Sequence, residues 1–179
     1  VSSGSPGSGQ WQLLGELLEG HGMTRKDIKE DLSSFAQSVD KIKDGNLTAS
    51  LITAGAPTAS VTDLANSHDL RVVPLTGPEI ENLRKKQPYY AQVQLPANTY
   101  KGQTAPVATL AVMAVWATHE GLSEEMAYAV TKALYDNTET LGKVHPKGKE
   151  ITLETALQSV SIPIHPGAAK YYREKGLMK

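Results

Sequence analysis

Positions 1 to 9 combine small side chains with hydroxyls: Val1, then Ser-Ser-Gly-Ser-Pro-Gly-Ser-Gly, followed by a stretch bearing leucines. An apolar strand end, a Gly/Ser loop and a helix start are thus joined within about ten residues. The first N–H groups of a helix lack intrahelical partners and the helix dipole is positive there, so such a junction suits an anion. Three stronger chemistries fail at this loop. Gly4 and Gly9 have the glycine spacing of a triphosphate-binding loop, but Gln10 stands where its lysine belongs. A dinucleotide fingerprint begun at Gly7 meets Gln12 in place of its third glycine. A nucleophile elbow around Ser8 would need glycines where Pro6 and Gln10 stand. Two readings remain open from composition: a carboxylate site over a helix start, or a flexible Gly/Ser segment.

Little else offers chemistry. There is no cysteine, which removes disulfides, thiolate metal sites and a cysteine nucleophile together. His21, His68, His119, His145 and His165 are scattered, and no pair has the i, i+4 spacing of a helical zinc site. No metal or cofactor is expected. Asn46-Leu-Thr48 fits a glycosylation sequon, a pattern frequent by chance. Tyr171, Tyr172 and Arg173 read as a terminal amphipathic helix before they read as a stacking site. A net charge of −1 excludes the concentrated positive charge that a nucleic-acid surface needs. Arg25, Lys26 and Lys29 alternate with Asp27, Glu30 and Asp31, and read as a solvated face. The longest apolar run, Val107 to Ala117, is far short of the roughly 18 residues that span a membrane.

The elements that would position the loop follow from periodicity. A helix is predicted over Gln10–Gly20, with Trp11, Leu14, Leu17 and Leu18 inward. Thr24 and Asp27 form a start signal close to a capping box. A second helix covers Ser33–Lys43, with Phe35, Val39 and Ile42 inward, and stops at Asp44-Gly45. Leu47–Thr53 reads as a strand, and Ala54-Gly-Ala-Pro57 as the turn into a helix with Pro57 at its first position. That helix should bury Val61, Leu64 and Ala65. Leu70–Leu75 reads as a strand, Glu79–Lys86 as a helix, Tyr89–Leu95 as a half-exposed strand and Val107–Trp116 as a strand buried on both faces. After Gly121 only helices are expected: Ser123–Gly142, with Met126, Val130, Ala133, Leu134 and Leu141 inward, then Thr152–Val160 and Ala168–Lys175. Alternating strands and helices give an α/β layered domain, followed by a helical tail.

Several phrases together resemble one family. They are the opening Val1–Gly9 run, Asp44-Gly45, Ala54-Gly-Ala-Pro57, Leu95-Pro-Ala-Asn-Thr-Tyr-Lys-Gly102, Thr131-Lys-Ala-Leu134, Pro163-Ile-His-Pro-Gly-Ala168 and Tyr171-Tyr-Arg-Glu-Lys-Gly176. In this order and spacing the chain resembles the TAXI group of solute receptors of tripartite ATP-independent periplasmic (TRAP) transporters, over essentially its whole length. The resemblance implies a periplasmic-binding-protein type II-like α/β fold, with a mixed sheet and flanking helices. Residues 1–120 would form the second lobe, and residues 121–179 the C-terminal helices that complete the first. It also implies that the chain is the C-terminal part of a receptor whose signal peptide and most of whose first lobe lie upstream. The tail's apolar face would then pack on that lobe. In this chain alone it would meet another copy or stay poorly ordered.

The function implied is that of a periplasmic, non-enzymatic binding subunit. It would close on a small organic anion or an amino acid such as glutamate and deliver it to the TRAP membrane subunits. Ser5, Ser8 and the N–H groups of Gly9 and Gln10 are the candidates for the anion. Gly55 and Ala56 would supply close backbone approach, and Tyr100 is a further candidate on a loop near the hinge. Two other classes compete. The same fold serves as the effector domain of bacterial transcription regulators. A hydrolase built on Ser8 would need a base, and no histidine or carboxylate neighbours the loop in sequence.

Overall fold

Side-chain caps set where the helices begin. In the computed structural model, which describes residues 1–158, 160 and 162–179, α1 spans Gly9–Gly20, and the Ser8 hydroxyl oxygen accepts the Trp11 N–H at 3.1 Å. Thr24 and Asp27 exchange bonds around the short 3-10 turn Arg25–Asp27, as the capping-box pattern predicts. Ser34 and Gln37 do the same at the start of α2, Phe35–Lys43. Helices α3 (Ala59–Ser67) and α4 (Pro78–Lys86) follow, the latter with proline in its first turn, where a missing N–H costs little. Strand β1 (Ala91–Leu95) pairs antiparallel with β2 (Val107–Ala111), Ala91 opposite Ala111 and Leu95 opposite Val107. Then come α5 (Glu124–Asp136), α6 (Thr138–Val144), a 3-10 turn at Pro146–Glu150 and α7 (Pro166–Glu174). The chain divides into two units, Val1–Val112 and Met113–Lys179.

The first unit is a mixed α/β body with a two-stranded sheet and helices. Leu13 of α1, Leu83 of α4 and Tyr90 form its buried cluster, with Leu17, Leu51 and Leu110 packed against them. Tyr90 is buried, and its hydroxyl donates to Glu16 at 2.7 Å. Burial, then the Glu16 carboxylate, push that phenol's pKa up. Three chain segments also run parallel beside α1 and α2. Ser2 bridges to Asp31 on one side and to Ser50 on the other.

The second unit is helical. Gly167 lets α7 lie directly on α5. Tyr171 of α7 is buried there, stacked on Tyr135 at 5.8 Å and edge-on to Tyr128 at 5.9 Å. His165 caps α7: its Nδ1 accepts the Gly167 N–H at 3.2 Å and its Nε2 bonds the Leu122 carbonyl at 3.0 Å.

Several expectations are corrected. Leu47–Thr53 and Leu70–Leu75 are not strands. Among the described residues the first pairs with its neighbour at the Ser50 bridge to Ser2, and the second through the bond from Leu75 N–H to the Ala108 carbonyl at 2.9 Å. A strand needs a partner along its length, and here the backbone pairing is confined to one short stretch of each segment. Pro57 is not the first residue of α3, which starts at Ala59 behind Thr58. Val107–Trp116 ends as a strand at Ala111. Its residues are half-buried, and Val112, Met113, Val115 and Trp116 beyond them are exposed. Tyr89 and Tyr90 precede β1.

The predicted Ser123–Gly142 helix breaks at Asn137. There the side-chain Nδ2 donates to the Ala133 carbonyl at 2.7 Å and closes α5, a short polar side chain competing with the backbone ladder. Residues 153–158 of the predicted Thr152–Val160 helix form turns, where Thr152 and Thr155 bond each other's backbone and hydroxyls; Ser159 lies outside the described residues. Of the tail's apolar face, Met126 is 53% exposed and Val130 is exposed too, while Leu134 and Leu141 are half-buried. The side of α5 turned toward α7 carries Ala127 and Tyr135 instead.

Candidate functional site

The parallel segments around Ser2, Asp31 and Ser50 lead, in chain order, to α1, α2 and α3. Ser2 is central, so the chain leaves it for one side through α1 and crosses to the other through α2. The crevice between the loops that follow the first and third segments is therefore a topological switch point, where open α/β sheets bind their ligands. One wall is the Gly4–Ser8 loop and the other is the Ala54–Thr58 turn.

Small buried hydroxyls tie the first segment to the second segment and to α2. Ser2, Ser3 and Ser38 are fully buried. The Ser38 hydroxyl donates to Ser2 Oγ at 2.7 Å, and the Ser2 hydroxyl to the Ser33 carbonyl at 3.2 Å. Beside them, Lys41 Nζ reaches Asp31 at 2.6 Å and Ser33 Oγ at 2.7 Å. Lys41, then Ser33, hold the Asp31 carboxyl down from 3.8 to about 2. The folded value lies below the unfolded one, so the stabilisation is present above about pH 4 and is lost as pH falls toward 2. Partial exposure screens the pair, which leaves a contribution of about 1 kcal/mol. Asp31→Asn should lower stability at neutral pH by that amount and flatten acid denaturation between the ordinary carboxyl value of 3.8 and about 2. Urea titrations of both proteins across that range measure it.

The two walls are tied together. Gln10 is buried, and its side-chain Nε2 donates to the Leu51 carbonyl at the end of the third segment. Gly4, with φ of 73°, lets the loop turn over that amide; a Cβ on Gly4 would stand 2.9 Å from Gln10 Oε1. Tyr100 is buried, and its hydroxyl oxygen accepts the Thr58 N–H at 2.9 Å. Thr58 Oγ1 donates to the Gly55 carbonyl at 3.1 Å and tightens the turn.

Each predicted residue therefore has a place. Ser8 caps α1 through its oxygen, so its hydroxyl proton remains a donor. Among the described residues the N–H groups of Gly9 and Gln10 make no bond, whereas the Gln10 side chain is already committed. Ser5 is exposed, and its carbonyl accepts the Ser8 N–H at 3.1 Å. Gly55 is exposed and Ala56 half-buried on the opposite wall. Tyr100, read as a hinge-facing residue, is anchored to that wall, and its own proton has no acceptor among the described residues. The site thus offers hydroxyl protons and free N–H groups, donors that suit a carboxylate.

Sequence reading missed Thr58, whose N–H anchors Tyr100; a threonine just before an apolar helical stripe is the signal that marks it. Arg25, Glu30 and Asp31, read as a solvated face, are paired and partly shielded. No group of three or more potential metal ligands occurs among the described residues. No described helix is long and apolar enough to cross a membrane. The sequence model described as the NMT1-like family matches residues 1–176.

Proposed function

The chain belongs to the NMT1-like family, a periplasmic-binding-type family of solute-binding proteins, and we propose that it serves as the extracytoplasmic binding subunit of a TRAP transporter of the TAXI group. In this reading it takes up a small carboxylate or an amino acid such as glutamate and hands it to the transporter's membrane subunits, without chemistry of its own. The observation that supports it is the cluster of unspent hydrogen-bond donors at the switch point. There the Ser8 and Tyr100 oxygens are each engaged by a backbone N–H while their protons are left over. A carboxylate accepts from such groups, and the unbonded N–H groups of Gly9 and Gln10 add the positive end of α1.

Calorimetry of the full natural protein against a panel of monocarboxylates and amino acids, L-glutamate among them, tests the reading. Tyr100→Phe and Ser8→Ala should each weaken the best ligand by about 1.5–3 kcal/mol, the worth of a hydrogen bond to a charged group. Unchanged affinity in both variants removes the crevice as the site. Turnover of a small ester or amide that disappears in Ser8→Ala replaces the receptor with an enzyme.

A further inference from the structure

Both ends of the Gly4–Ser8 loop lead to one guanidinium. Arg25 lies 3.8 Å over the Trp11 ring, in the first turn after the loop. Its Nη2 donates to the Trp11 carbonyl and its Nη1 pairs with Glu30 Oε1. The same Glu30 oxygen accepts the hydroxyl of Ser3, the buried residue just before the loop, at 2.6 Å. The Arg25 and Glu30 side chains are only 25% and 21% exposed, so water competes weakly for these bonds. Gly15 explains how the guanidinium lies so close to α1: a Cβ there would stand 2.9 Å from Nη2. Glycine is a poor residue for a helix interior, and here its missing side chain is what admits the arginine.

We propose that Arg25 and Glu30 are positioning residues for the ligand loop. By clamping Ser3 at its entrance and Trp11 at its exit, they hold the Ser8 hydroxyl and the Gly9 and Gln10 N–H groups in one arrangement before a carboxylate arrives. The proposal rests on the reading of this loop as the anion site. The loop needs such a clamp because Gly4 and Gly7 both sit at positive φ, 73° and 81°. A chain segment so rich in glycine has much conformational freedom to lose on binding, and preorganisation removes that loss from the affinity. Only arginine fits the task, since it lies flat on the indole while its fork reaches two acceptors; lysine does neither.

Three variants test it: Arg25→Lys, Glu30→Gln and Gly15→Ala. The last separates positioning from stability, because alanine favours the helix while its methyl group displaces the guanidinium. Two readouts are taken by NMR. One is amide exchange at Ser8 and Trp11, whose N–H groups are bonded within the loop, against Leu83 in α4 as reference. The other is the shift of the Gly9 and Gln10 amides on titration with sodium L-glutamate. Exchange at Ser8 and Trp11 should quicken about ten-fold in Arg25→Lys and Gly15→Ala, the equivalent of one charge-assisted bond. Leu83 should be unchanged, and the melting temperature of Gly15→Ala should be equal or higher. Glutamate affinity should fall about ten-fold in the same proteins, and less in Glu30→Gln, whose amide oxygen still accepts from Ser3. Wild-type exchange at Ser8 and Trp11 in both Arg25→Lys and Gly15→Ala overturns the clamp. So does exchange that quickens equally at Leu83, which marks a merely structural role. A wild-type protein whose Gly9 and Gln10 amides ignore glutamate overturns the anion reading, and with it the ligand half of the proposal. The exchange rates then still decide whether the clamp exists.

Discussion

Gly167→Ala is expected to destabilise the Met113–Lys179 unit strongly. A Cβ at this position would stand 2.1 Å from the Glu124 carbonyl oxygen and 2.9 Å from both the Glu124 carbonyl carbon and the Tyr128 nitrogen. These are backbone atoms in the first turns of α5, so no side chain can swing aside. Relief requires α7 to move away from α5, and that movement opens the packing around Tyr171 and breaks the His165 bond to the Leu122 carbonyl. Overpacking typically costs 1–3 kcal/mol, and a clash with backbone belongs at the top of that range, at about 3 kcal/mol. A small unit has only roughly 0.05–0.15 kcal/mol per residue in reserve, so a large share of its margin disappears. Urea unfolding followed by the near-ultraviolet circular dichroism of Tyr128, Tyr135 and Tyr171 measures it. A wild-type midpoint in Gly167→Ala would mean that α7 does not rest on α5 at this residue.

The second large effect belongs to the first unit. Leu13 is buried in the cluster with Leu83 and Tyr90, and it is the residue by which α1 grips α4 and the segment ahead of β1. Leu13→Ala should cost about 2–5 kcal/mol, the transfer term plus a cavity that Leu17 and Leu51 fill only in part. The loss should be read out twice. Urea midpoints should fall, and ligand affinity should fall with them, because α1 carries Ser8, Gly9 and Gln10 at its N-terminus. Stability lost at unchanged affinity would mean that the loop is held without the help of this cluster.

What was legible in the amino-acid sequence was local. Ser8, the Thr24–Asp27 pair, Ser34 and Ser123 each cap a helical turn through atoms within a few residues, so spacing alone reveals them. The loops at Gly4–Ser8 and Ala54–Thr58 were visible for the same reason. What the sequence hid depends on partners far along the chain. Ser2 sits at the centre of the three parallel segments and is fully buried, yet it is polar, and hydropathy gives no sign of it. Leu70–Leu75 has the composition of a strand, but among the described residues its backbone pairs with a neighbouring backbone only at Leu75, and propensity cannot supply the missing bonds. Arg25 and Glu30 look like any solvated charges until Trp11 and Ser3 are brought beside them. Their one sequence trace is Gly15, a glycine inside a helical pattern, which signals close approach.

The chain that leaves β2 has a consequence for behaviour in bulk. From Gly102 to Thr118 there is no charged residue, and after Pro106 there is no proline either until His119 and Glu120 close the run. Its far end is in water: Val112, Met113 and Val115 are exposed and Trp116 is 71% exposed. Apolar, uncharged, β-prone windows of this kind template cross-strand stacking between molecules. Pro106 on one side and Glu120 on the other stand as gatekeepers against that growth. The colloidal fate of the chain therefore hangs on its shortest polar boundary. Were Glu120 replaced by an uncharged residue, the run would lose that guard on one side, and concentrated solutions would pass more readily from dispersed protein to precipitate.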